Sequence, residues 1–223
     1  EIAKWITFAA ACGKDPYTFA DYDAVAALQE KIKEDGRVGN YIYTTYWGIF
    51  GLTAAGADVE PQIAWLLTQQ NADGSFGSYG TETGDSGDAD NTAASIMALR
   101  AAGIPADDPA VEAAVQFLRE AIEENGGYNY GYYSAPNLAS TAWAVQAFCS
   151  VGIDPSTVKS SAGNSPVDHL LSLQKEDGSF RYTETLTDTP VSMTARAVAA
   201  LSGWGNAYLS RIRFGVKYLV AQK

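Results

Sequence analysis

At 223 residues, 47% of them hydrophobic and 18% charged, the chain has the make-up of a folded globular protein, and a single domain over residues 1–223 is expected. Its 26 acidic against 15 basic residues, a net charge of −11, argue against a nucleic-acid or anionic-membrane partner, because phosphate binding needs clustered Lys and Arg. No apolar run approaches the roughly 18 residues of a membrane span, and Cys12 and Cys149 fit neither a disulfide framework nor zinc spacing, so each is expected as a buried free thiol.

The first predicted helix, "WITFAAACG" at 5–13, is apolar around most of its circumference and ends at Gly13. "DYDAVAALQEKIKED" at 21–35 instead carries a one-sided apolar stripe with a wet face. The pair then repeats. "TYWGIFGLTAAG" (45–56) precedes "PQIAWLLTQQ" (61–70), "NTAASIMALRAAG" (91–103) precedes "PAVEAAVQFLREAIEEN" (109–125), "STAWAVQAFCSVG" (140–152) precedes "SPVDHLLSLQK" (165–175), and "MTARAVAALSG" (193–203) precedes "LSRIRFGVKYLVAQK" (209–223). The glycines that close the alanine-rich members, Gly13, Gly56, Gly103, Gly152 and Gly203, follow one another at steps of 43, 47, 49 and 51 residues. This is a drifting repeat of inner helices, buried on nearly all sides and closed by left-handed glycine caps, alternating with amphipathic outer helices. Pro61, Pro109 and Pro166 fit the first turns of outer helices.

Gly turns followed by an aromatic come after three outer helices, at "NADGSFGSYG" (71–80), "NGGYNYG" (125–131) and "KEDGSFRY" (175–182), and a few strand residues in short hairpins are expected there. Such hairpins cannot bury their apolar faces singly, so they must stack as a solenoid or a closing ring.

Candidate chemistry gathers ahead of the inner helices. In "GDADNTAA" (87–94), Asp88, Asp90 and Asn91 read as helix caps, as polar contacts in a cavity, or as an acid. "YIYTTYW" places Tyr41, Tyr43, Tyr46 and Trp47 at the mouth of one inner helix, and "GGYNYGYYSAPN" places Tyr128, Tyr130, Tyr132 and Tyr133 ahead of another. These aromatics read equally as loop packing or as a ligand rim. The single histidine, His169, is expected as a partly exposed residue of an outer helix. Glu82, Asp85, Asp88 and Asp90 could offer oxygens to Ca²⁺, but without EF-hand spacing a solvated acidic loop is the expectation, with no metal and no cofactor.

The runs "WLLTQQNADGSFG", "DNTAASIMALRAAG" and "SPVDHLLSLQKEDGSFRYTETLTDTPVSMTARAVAAL" resemble the prenyltransferase and squalene-cyclase type repeat of the α/α toroid superfamily, above all its secreted or cell-surface bacterial members. The resemblance covers essentially the whole chain. It implies an all-α toroid of helical hairpins, with five of the usual six hairpins present, either an incomplete ring belonging to a larger protein, the favoured expectation, or a ring that closes with five hairpins, and an extracellular or cell-surface location. It also implies that the loops ahead of the inner helices converge on one end of the barrel. A ligand, whether small molecule, glycan or protein, is then expected at the tyrosine-rich end, contacting Tyr43, Tyr46, Trp47, Asp88, Asn91, Tyr128, Tyr130, Tyr132 and Tyr133.

Two catalytic alternatives accompany this binding role. Class II terpene cyclases carry Asp-x-Asp-Asp-Thr-Ala at an inner-helix start, and Asp88, Asp90, Thr92 and Ala93 match it while Asn91 replaces the last Asp. By that resemblance Asp90 would protonate an alkene. The Thr-Ala pair also recurs in "LASTAW" and "SMTARA", which assigns it to the repeat. A carbohydrate-active domain would need two facing carboxyls, roughly 5–9.5 Å apart. The zinc set of protein prenyltransferases is missing, because His169 and Cys149 fall on different helix classes.

Overall fold

The computed structural model describes residues 1–79, 86–131, 134–203 and 209–222, and all regular structure among them is helical. The inner helices are α1 (Ile2–Ala11), α3 (Ile42–Ala54), α5 (Ala89–Ala101), α7 (Leu138–Ser150) and α9 (Pro190–Ser202). The outer helices are α2 (Ala24–Gln29), α4 (Glu60–Thr68), α6 (Pro109–Glu120), α8 (Pro166–Ser172) and α10 (Leu209–Val220). In place of the expected hairpin strands stand isolated antiparallel bridges, Ile32 with Val38, Tyr128 with Asn137 and Gln174 with Phe180.

Two compact units are present. The first comprises residues 1–87 and 94–114, and in it α1 packs on α3. Its core joins Ala3 and Ile6 to Val25, Leu28, Val38 and Leu52. The second comprises residues 88–93 and 115–223. There α9 packs on α7 and α10, with Leu138, Val145, Leu170, Phe180, Met193 and Leu201 buried together. Consecutive inner helices therefore lie side by side within each unit, as the repeat requires.

Local chemistry repeats as faithfully as the pattern. Gly13, Gly56, Gly103 and Gly152 are left-handed and close their helices with paired bonds. At the third of these, Gly103 N–H donates to the Arg100 carbonyl and Ile104 N–H to the Leu99 carbonyl, and at the fourth Gly152 donates to Cys149 and Ile153 to Phe148. Gly203 departs from the expectation: its φ is −65°. Counted from the threonine of each inner helix, the equivalent of Gly152 is Gly205, which lies outside the described residues.

The Asp-Gly turns explain the remaining signature residues. Asp73 Oδ1 accepts from Ser75 N–H at 3.0 Å, Gly74 N–H closes onto Asn71, and Gln70 Nε2 donates to the Gly74 carbonyl at 2.9 Å. Asp177, Gly178, Ser179 and Gln174 reproduce the arrangement. Asn125, Gly126 and Gly127 give a third version, with Gly127 N–H bonded to Asn125 Oδ1, and a fourth at Asp35–Val38 escapes the sequence pattern because Arg37 and Val38 stand where the Asp73 and Asp177 turns carry Ser and Phe.

Each turn delivers one buried plug, and in three of them the plug's N–H is taken by the threonine of the next inner helix. Val38 donates to Thr45, Tyr128 to Thr141 and Phe180 to Thr194, at 3.1, 3.0 and 3.0 Å. Thr141 and Thr194 pass their own protons to the carbonyls four residues back, so one small side chain satisfies two backbone groups. The motif threonine is thus structural. Thr141→Val, nearly isosteric, is expected to cost about 1–3 kcal/mol in urea unfolding by orphaning the Tyr128 N–H; an unchanged midpoint would remove this role.

Candidate functional site at the leading ends of the inner helices

In the second unit, α5 opens with Asp88 and not Asp90 as its cap. Asp88 Oδ1 accepts from Asn91 N–H at 2.8 Å, and its other oxygen takes the Asn91 side-chain amide at 2.6 Å. An aspartate at position 91 would face Asp88 as a like charge; the amide supplies a donor instead. The same device opens α7, where Asn137 Oδ1 accepts from Ser140 N–H at 3.0 Å and Asn137 Nδ2 donates to Ser140 Oγ at 3.1 Å. Both caps keep the first turn in register and leave Asp90, one residue inside α5, free for another role.

Asp90 has a distinct environment. The Ser140 hydroxyl, already accepting from Asn137, donates its proton to the Asp90 carboxylate. Oδ1 of Asp90 is buried without a hydrogen-bond partner. Burial is the main force on its titration and the Asp88 charge adds to it, while the Ser140 bond and the charge of Arg196 on α9 oppose them; the result is a pKa raised to about 6. Arg196 is exposed and makes no ion pair or hydrogen bond with Asp90.

The expected aromatic rim is sorted by burial. Tyr130 is 56% exposed and remains available to a ligand. Tyr128 corrects the expectation: it lies wholly in the core, its hydroxyl donating to the Leu118 carbonyl at 2.7 Å, because it is the plug of its Gly turn as Phe76 and Phe180 are of theirs. Tyr132 and Tyr133 lie outside the described residues, as do Glu82 and Asp85 of the acidic loop.

In the first unit, Tyr43 (42% exposed) stacks on Tyr41 with ring centroids 5.1 Å apart, and Tyr79 (60% exposed) meets Tyr41 edge-on at 5.4 Å. Tyr46 is buried. Trp47 is partly buried, with the Lys4 ammonium 5.1 Å above its ring and Phe50 edge-on at 5.5 Å.

Two further expectations are overturned. His169 is buried, with Nε2 unpartnered and its pKa lowered by burial to about 4. The Gly126–Gly127 turn closes over it, tightly enough that a Cβ at Gly127 would meet the imidazole at 2.8 Å. Both thiols are free, but Cys12 is exposed and Cys149 half-buried; burial is the first cause raising the Cys149 thiol to about 11. Among the described residues no three His, Cys, Asp or Glu side chains are grouped to hold a metal ion, and no helix is long and apolar enough to cross a membrane.

Ser140, Asn137 and Arg196 are the site residues that sequence reasoning missed. A signal existed for each. Asn137 and Ser140 repeat the three-residue offset of Asp88 and Asn91, and Arg196 stands two residues after its helix threonine, where the other inner helices carry Trp47, Ala94 and Trp143.

Comparison with known proteins accords with this architecture. Residues 6–139 match the squalene-hopene cyclase C-terminal domain and residues 92–221 the prenyltransferase alpha-alpha toroid domain, each over more than half of the chain. A probable squalene–hopene cyclase of Sinorhizobium fredii (strain NBRC 101917 / NGR234) is 36% identical over 115 residues, covering 45% of this chain and only 18% of that protein. Among solved structures, a protein from Actinoplanes superposes with a TM-score of 0.73 at 17% identity, covering 99% of this chain and 70% of that one. The type II terpene cyclase MstE from Scytonema gives 0.68 at 16% identity, covering 100% and 69%. Candida albicans protein geranylgeranyltransferase-I complexed with GGPP gives 0.59 at 14% identity, covering 84% and 60%.

Proposed function

This chain belongs to the α/α toroid family of squalene-hopene cyclase C-terminal and prenyltransferase domains, and from that premise we propose that it is a ligand-binding toroid domain whose site lies at the leading ends of α5 and α7. Asp90 meets the ligand there as a carboxylic acid. The observation that carries this reading is the unpartnered, buried Oδ1 of Asp90 beside a chain of satisfied donors from Asn137 through Ser140. A purely structural acid would be bonded at both oxygens, since an orphaned buried polar atom costs about 1–3 kcal/mol. Asp88 and Asn91 hold the turn, and Tyr130 offers an apolar contact. In the first unit, Tyr43 and Trp47 are proposed ligand contacts in their own right. The resemblance to secreted bacterial toroids supports an extracellular or cell-surface location.

The partial Asp-x-Asp-Asp-Thr-Ala match favours a second reading, alkene protonation. In that step the Asp90 proton passes to an alkene carbon, the π pair forms the new C–H bond, and a carbocation faces an Asp90 carboxylate that Ser140 and Arg196 stabilise. The binding reading expects farnesol to quench tryptophan emission saturably, and Asp90→Asn to weaken it. It expects no cyclic product from squalene or geranylgeranyl diphosphate. Cyclic product that disappears in Asp90→Asn would replace binding by catalysis, and no saturable quenching with unchanged substrates would end both readings.

A further inference from the structure

We propose that the tyrosine cluster at the leading end of α3, formed by Tyr41, Tyr43 and Tyr79, binds an organic cation, a ligand with a quaternary or methylated ammonium head. The inference rests on the reading of Tyr43 as a ligand contact in the first unit and makes no use of Asp90.

Backbone bonds hold the three rings together. Tyr41 N–H donates to Thr44 Oγ1 at 3.2 Å, and Ile42 N–H donates to the Ser78 carbonyl at 3.1 Å, which ties the start of α3 to the segment carrying Tyr79. The Tyr43 ring lies 9° from the plane of Tyr41 and that of Tyr79 stands at 73° to it, with centroids 5.1 and 5.4 Å from the Tyr41 centroid. Both outer rings stay exposed. The fold does not ask for them. In the second unit the same joint closes through Leu138 N–H onto the Tyr182 carbonyl at 2.8 Å, and there Asn137, Ala139 and Thr183 stand in the places of Tyr41, Tyr43 and Tyr79. Two large rings kept in water at a joint that also closes with small residues leave aromatic surface for a ligand.

Charge selects that ligand. Between Arg37 and Arg100 the sequence holds no Lys, Arg or His and seven Asp or Glu, so the stretch containing all three tyrosines is purely acidic, within a chain of net charge −11. Such a field repels phosphates and carboxylates and draws cations. The face of a tyrosine ring is negative through its quadrupole and attracts an ammonium group. One such contact already stands on this helix: the Lys4 ammonium lies 5.1 Å from the Trp47 centroid, one turn beyond Tyr43. Among the described residues no cation lies over Tyr41 or Tyr43. The steep angle between the outer rings suits a compact round head, whereas a flat neutral sugar would rest on one ring and gain nothing from the charge.

The test titrates the 223-residue chain, ¹³C-labelled in its tyrosine rings, with choline and with neohexyl alcohol, in which carbon replaces the charged nitrogen. Choline is expected to saturate in the millimolar range and to shift the Tyr43 and Tyr79 signals, assigned through Tyr43→Phe and Tyr79→Phe, which keep a π face and bind within about twofold of the parent. It is expected to bind at least about fivefold tighter than neohexyl alcohol, an advantage that shrinks as salt is raised to about 0.5 M. Tyr43→Leu and Tyr79→Leu keep apolar bulk and remove the π face; each is expected to weaken choline at least about threefold and to leave neohexyl alcohol unchanged, with unaltered urea midpoints. Equal binding of the two probes, choline affinity untouched by both Leu changes, or no saturable shift up to about 100 mM choline would overturn the inference. Asp90-dependent quenching by farnesol is a separate readout. Its persistence when choline fails removes this inference alone, and its loss while choline binds removes only the Asp90 reading.

Discussion

Replacing Asp90 by Asn is expected to stabilise the protein at neutral pH relative to acid pH, in contrast to most substitutions of buried polar groups. The folded-state pKa of Asp90 is raised from 3.8 to about 6, so the folded state holds this proton more tightly than the unfolded chain. Its contribution to stability is greatest below the unfolded value, is lost as pH rises from near 4 through 6, and is constant above. The difference amounts to about 3 kcal/mol, because each unit is worth roughly 1.4 kcal/mol. Urea unfolding at pH 4 and pH 7.5 is therefore expected to show the Asp90→Asn advantage growing by about that amount, with the amide still accepting from Ser140. An advantage that stays flat across this range would mean the carboxyl ionises in the folded protein as it does in water. A residue that costs stability at the working pH is characteristic of a site kept for function.

Gly126→Ala is expected to be among the most damaging single-methyl additions in the chain. Its φ is +84°, and an added Cβ would lie 2.3 Å from the Ser165 carbonyl oxygen. Backbone cannot swing aside as a side chain can, so the left-handed penalty of about 1–2 kcal/mol adds to a forced separation of the turn from the start of α8. Gly152 provides the control, with φ +77° and open space around the position of a Cβ. Gly152→Ala is expected to lose only the conformational part, roughly 1–2 kcal/mol, while Gly126→Ala loses more than about 3 kcal/mol or fails to accumulate as folded protein. Equal losses in urea melts would show that the turn does not dock as described. Because a Cβ added at Gly36 or Gly74 would likewise lie 2.3 Å from the carbonyl oxygen of Pro61 or Ala113, this close approach is a property of the repeat.

Much of this architecture was legible in the sequence because it is written in local chemistry. An inner helix must be apolar on nearly every side, a left-handed cap selects glycine, and an Asp-Gly turn needs both residues, so these signals survive without knowledge of the fold. The alternation of α1 through α10 follows from them. Side chains whose fate depends on the neighbouring repeat were not legible in the same way. Tyr128 reads as a rim tyrosine until its place is matched to Phe76 and Phe180, which are plugs. His169 reads as a surface residue because its own helix does not bury it; the Gly126–Gly127 turn does. That Asp90 meets Ser140 and feels the charge of Arg196 depends on residues far apart in the chain, a long-range fact that no single stretch encodes.

The membership of one family does not by itself decide between binding and catalysis, since function resides in particular side chains grafted on a shared scaffold. In this chain the caps at the leading ends of α5 and α7 are hydrogen-bonded while one oxygen of the Asp90 carboxyl is left open. Both functional readings require that carboxyl to hold a proton near neutrality.

The most direct measurement is therefore the titration of Asp90 itself, by following its carboxyl ¹³C shift from pH 3 to 8 in selectively labelled protein, assigned through Asp90→Asn. The structure leads us to expect a midpoint near 6, staying close to it in Ser140→Thr, which keeps the hydroxyl, and moving up in Arg196→Gln. A midpoint at or below about 4, the value of an unburdened aspartate, would contradict the account, because no group would then remain at this site to hold a proton for a ligand or a substrate.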